Sequence, residues 1–87
     1  MYSEDYEKYF YERLSKLRSQ KNVSARDMSL SIGQSENYIN SIENKRMLPS
    51  MMGFFYICEY FGIHPKEFFG EQLENPGISK ELMEKFQ

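Results

Sequence analysis

Between Ser35 and Arg46 the chain reads SENYINSIENKR, and its polar members are the types that read a planar, hydrogen-bonding surface. Asn37 and Asn40 carry amides that donate and accept at once, Glu36 can only accept, and the Ser41 hydroxyl does either. An asparagine amide can pair with both N6 and N7 of adenine, a carboxylate can accept from cytosine N4, and a hydroxyl adapts to either. Asn44, Lys45 and Arg46 follow at once, and lysine and arginine donors suit anionic oxygens. Other chemistries find no support. His64 precedes Pro65 with no second His, Cys or carboxylate at ligand spacing, so no metal is expected. Cys58 lies among Phe54, Phe55 and Phe61, which suits a buried, inert thiol. There is no Gly-rich phosphate loop, acid/base pair or nucleophile constellation, so neither an enzyme nor a cofactor or small-molecule ligand is expected.

Ile39 and Ile42 stand three apart, a spacing that turns both to one helix face and leaves Asn37, Asn40 and Ser41 on the outer side. With Met28 and Ile32 they surround a turn at Gly33, so Ser24 to Glu43 predicts two short helices in a helix-turn-helix. Ser24, with Asp27 three residues on, resembles a capping box that starts the first of these, running to about Ile32. Ser35 can cap the second, with Glu36 in its first turn, until Asn44-Lys45. Upstream, Ser3 reads as a cap followed by the acids Glu4 and Asp5, and Tyr6, Phe10, Leu14 and Leu17 recur at helical spacing over Glu4 to Gln20. Downstream, Pro49-Ser50 opens a helix from Met51 to about Phe61, stopped by Gly62; apolar around much of its circumference, it reads as the central core helix. Pro65 starts a short fifth helix backed by Phe68 and Phe69. After the turn at Asn75-Pro76-Gly77, a last helix is expected from Ser79 to Phe86, offering Leu82, Met83 and Phe86 on one side. No strand-like alternation or repeat is present, so the fold class is all-α.

Eighty-seven residues with 16% aromatics suit one folded domain, residues 1–87. One cysteine, an acidic N-terminus and no long apolar run point to a soluble cytoplasmic protein without a membrane partner. The net charge of −2 looks wrong for a nucleic-acid binder, but it is unevenly spread. Seven basic and three acidic residues between Arg13 and Ser50 give +4, and each flank carries −3. Positive charge gathers where the turn is.

From FYERLSKLR through YINSIENKRMLPS to FFYICEYFGIHPKEFF, the chain resembles the phage repressor and Cro-like, or Xre-type, helix-turn-helix transcription regulators. The resemblance covers about residues 10–69; residues 71–87 form a C-terminal extension beyond it. It implies a compact five-helix repressor-like DNA-binding domain, here with an added C-terminal helix. The implied function is sequence-specific transcription regulation, a homodimer repressing from a palindromic operator in double-stranded DNA. Carried into the major groove by the third helix, Glu36, Asn37, Asn40 and Ser41 would meet base edges. Ser24, Ser35, Tyr38, Asn44, Lys45 and Arg46 would meet phosphates. Arg18 and Glu43 fall where family members form an ion pair joining the first helix to the third. Arg26 is either a phosphate contact or an ordinary exposed arginine. Two positions depart from the pattern: Ala25 replaces a Gln that binds phosphate or buttresses the recognition helix, and Lys45 replaces a common Gly. With the net acidity and Glu36, they favour the alternative, a protein-interaction module of the same fold, antitoxin-like or anti-repressor, with weak or no DNA binding. Met47, Met51 and Met52 read as core or dimer packing.

Overall fold

The computed structural model describes residues 2–70, which form five helices and no strand: α1 (Tyr2–Lys21), α2 (Ala25–Ser31), α3 (Tyr38–Glu43), α4 (Met51–Phe61) and α5 (Pro65–Phe68). The turn at Asn75-Pro76-Gly77 and the helix expected from Ser79 to Phe86 lie outside the described residues. No described helix is long and apolar enough to cross a membrane.

One device ends α1, α2, α3 and α4. A residue one or two positions past the end of each helix turns left-handed: Asn22 (φ 60°), Gly33 (φ 76°), Lys45 (φ 64°) and Gly62 (φ 69°). Its N–H and the next N–H then fold back onto carbonyls of the last turn, as in the bonds from Val23 to Arg18 (3.4 Å), Gln34 to Ser29 (2.9 Å), Arg46 to Ser41 (2.9 Å) and Ile63 to Cys58 (3.0 Å). Carbonyls that the helix cannot satisfy internally are thereby paired. Gly33 and Gly62 adopt this conformation without a Cβ penalty, and Asn22 tolerates it. Lys45 is the exception, a lysine in a conformation that costs most L-residues about 1–2 kcal/mol. It sits at the end of α3, beside the polar stripe.

The core joins Phe10, Tyr11 and Leu14 of α1, Met28 of α2, Ile39 and Ile42 of α3, Ile57 and Cys58 of α4, and Phe68 of α5. Phe68 is enclosed by aromatic rings, with centroids 5.1 Å from Phe10, 5.2 Å from Phe54 and 5.0 Å from Phe69. Arg13 of α1 donates to the carbonyls of Glu67 and Phe68, tying α1 to the end of α5. Burial raises the Cys58 thiol above its ordinary value near 9, which keeps it protonated at neutral pH.

Four expectations are corrected. First, α1 starts at Tyr2, so Ser3 lies inside the helix rather than capping it, while Glu4 and Asp5 remain in the first turn, where the dipole favours acids. Second, Tyr6 is 63% exposed and Tyr11 is buried, because the core begins only at the third turn of α1. Third, α4 buries one face, Gly53, Ile57 and Cys58, and leaves Met51, Met52, Phe55 and Tyr56 exposed. The other described helices leave that outer face uncovered. Fourth, α3 begins at Tyr38, and Ser35 to Asn37 form a turn closed by the bond from Tyr38 N–H to the Ser35 carbonyl (3.1 Å).

Candidate nucleic-acid interface

The late start of α3 has a physical cause in α2. The first amides of any helix lack partners within it, and Asn37, the cap residue of α3, makes no side-chain capping bond. Ser29 of α2 supplies one instead: its Oγ accepts from Ile39 N–H (2.9 Å) and donates to the Ala25 carbonyl (2.7 Å). Ser29 has no exposed surface, so this hydroxyl is a buried polar clip between the two helices of the turn. A signal for it exists in the sequence, since Ala25, Met28, Ser29 and Ile32 form the i, i+3, i+4, i+7 stripe that faces a core.

The other end of α3 is held from α1. Arg18 Nε and Nη2 donate to the two Glu43 carboxylate oxygens at 2.7 and 2.9 Å, and Nη1 donates to the Val23 carbonyl at 2.9 Å. The hydrogen bond to Glu43 raises the Arg18 pKa against the opposing effect of burial, so the guanidinium stays charged at any working pH. Ser29 and Arg18 thus fix both ends of a six-residue helix that could not persist alone in water.

With Ile39 and Ile42 turned fully inward, Asn37, Asn40 and Asn44 recur along the opposite face at helical spacing and are exposed. Ser41 flanks them and is half-buried. Asn44 Nδ2 donates to Asn40 Oδ1 (3.1 Å), which aligns the two amides along the stripe. Glu36 stands in the turn before the helix, where Arg26 Nε of α2 donates to its Oε2 (3.1 Å). Ser35 is exposed in the same turn, and Ser24 caps α2 by accepting from Asp27 N–H (3.0 Å).

Tyr38 stands apart from the stripe. It is half-buried against the core, its hydroxyl lies where a Cβ at Gly53 would collide with it, and burial raises its pKa, so it stays a neutral donor. Gly53 is a residue that sequence reasoning passed over. A glycine in the first turn of a helix, at a cost of about 1 kcal/mol relative to alanine, was the available signal of a close approach.

The cations also divide. Arg13 is committed to α5, Arg18 to Glu43, Arg26 to Glu36, and Lys21 lies 5.0 Å from the centre of the Tyr60 ring. Lys45 and Arg46 are exposed in the loop directly beyond α3. Because Lys45 is left-handed, Lys45→Gly is expected to leave stability unchanged or raise it by up to about 1 kcal/mol, the relief of strain exceeding the added freedom of the unfolded chain. A urea midpoint measures this; a clear loss of stability would show that the lysine side chain holds the loop.

Two short helices clipped at a left-handed glycine, the second presenting amides outward beside a basic loop, define a helix-turn-helix domain, the element that places a helix in a DNA groove. The helix-turn-helix domain family matches residues 11–74, and the chain belongs to that family. No curated protein gives a significant match, and no solved structure does. Membership points to a DNA-binding regulator, in keeping with the repressor and Cro-like resemblance.

Proposed function

We propose that the protein is a sequence-specific transcription regulator, a repressor that occupies a palindromic operator as a homodimer. In this reading α3 enters the major groove, where Glu36, Asn37, Asn40 and Ser41 meet base edges. Ser24, Ser35, Tyr38, Asn44, Lys45 and Arg46 hold phosphates on either side. The observation that carries the proposal is the exposed amide row on a helix whose two ends are clamped by Ser29 and Arg18. The two clamps hold that row in one orientation. Two copies related by two-fold symmetry would read half-sites about 34 Å apart. Met51, Met52, Phe55 and Tyr56 offer the exposed apolar surface that such pairing requires.

That same surface favours a second reading, a protein-interaction module of the same fold with weak or no DNA binding. Selection from random duplexes with the pure protein separates the two. A palindromic consensus supports the repressor, and failure to enrich any sequence supports the interaction module. On the selected duplex, Asn37→Ala is expected to abolish a preference of about tenfold at one base position, because one bidentate pair contributes roughly 1–3 kcal/mol. Arg46→Ala should weaken every sequence alike. If Asn37→Ala also acts evenly across sequences, Asn37 is not a base reader.

A further inference from the structure

We propose that Arg26 is a positioning residue that holds the Glu36 carboxylate ready to accept from the exocyclic amine of a cytosine, so that a base pair offering that amine is selected. This inference rests on the DNA-binding reading above. Arg26 lies near the start of α2 and Glu36 in the turn before α3, and Arg26 Nε reaches Glu36 Oε2 at 3.1 Å across the mouth of the helix-turn-helix. Both side chains face solvent, 67% and 56% exposed, and a pair so placed adds little to stability. Its chemistry suits the groove better than the fold. A carboxylate approaching duplex DNA is repelled by the phosphates, and a guanidinium bound to it cancels that charge locally. The contact also engages one carboxylate oxygen and leaves Oε1 able to accept from cytosine N4. The helix carrying Arg26 and the helix that follows Glu36 are set relative to each other by the buried Ser29 clip, so the pair has a fixed base. One contact therefore neutralises and orients the acceptor.

The test measures base preference at each position of the selected duplex for the wild type, Glu36→Ala, Arg26→Ala, Arg26→Lys and the double variant Arg26→Ala/Glu36→Ala. The wild type should prefer cytosine about tenfold at one position, and Glu36→Ala should erase that preference. Arg26→Ala should cut it at least about threefold at the same position while unfolding like the wild type, and Arg26→Lys should restore part of it. At that position the double variant should be no worse than Glu36→Ala, since Arg26 acts through Glu36. Even weakening of all sequences by Arg26→Ala, with the cytosine preference intact, would make Arg26 a phosphate contact and overturn the proposal. So would independent, multiplying effects of the two substitutions, or a cytosine preference that survives Glu36→Ala. A protein that binds no duplex overturns the DNA-binding reading as well, so the two failures are distinguishable.

Discussion

Phe68→Ala is expected to cost about 3–5 kcal/mol and to leave a domain of this size largely unfolded at 37 °C. Phe68 has no exposed surface, and the rings of Phe10, Phe54 and Phe69 enclose it, so truncation opens a cavity that α1 and α4 cannot close without losing one another. The four-residue helix that carries it lies far along the chain from α3, yet Arg13 and Tyr9 of α1 both donate to carbonyls at its end. Thermal unfolding followed by circular dichroism measures the effect. Phe68→Leu should recover more than half of the loss, because it refills most of the volume. An alanine variant that unfolds within a few degrees of the wild type would show that α5 is not part of the core.

Glu43→Ala comes next in size, at about 2–3 kcal/mol. Removing the carboxylate strands a guanidinium that is only 22% exposed and keeps the Val23 carbonyl as a partner. The loss falls short of the roughly 3–5 kcal/mol of a fully buried pair because water still reaches part of Arg18. The cost of breaking the pair is distinct from its net worth. The double variant Arg18→Met/Glu43→Leu should therefore recover most of the stability, as apolar groups of similar volume replace two charges. A denaturant titration of the two variants separates these quantities. If both lose the same amount, packing at this position, and not the unpaired charge, sets the cost.

Much of the fold was legible because its signals are local. Gly33 and Gly62 end helices where a left-handed residue is needed, Ser24 and Ser50 cap them, and Pro65 starts α5. Ile39 and Ile42 turned α3 the right way by spacing alone. The errors arose where a tertiary partner overrides a local signal. Ser35 looks like a cap, but the amide that matters, Ile39 N–H, is taken by Ser29 ten residues earlier, and no local rule sees that. The apolar circumference of α4 marked it as the central core helix, whereas the described helices pack on one face of it and leave Met51, Met52, Phe55 and Tyr56 exposed. The candidate site was legible as a set of residue types on one face, and Arg18 with Glu43 was suggested by resemblance. Its electrostatics were not. Summing charges between Arg13 and Ser50 counts Arg13, Arg18 and Arg26 as available, and the structure commits all three to internal partners.

The central claim, that α3 and the loop after it engage a duplex, is tested most directly by the affinity of the full chain for its selected duplex between about 50 and 200 mM salt. With Lys45 and Arg46 on phosphates, log affinity should fall linearly with log salt, with a slope of about −2 from these two cations in each protomer, and Arg46→Ala should reduce it by about 1 per protomer. Absence of binding at the lowest salt, or an affinity that ignores salt, would contradict the account.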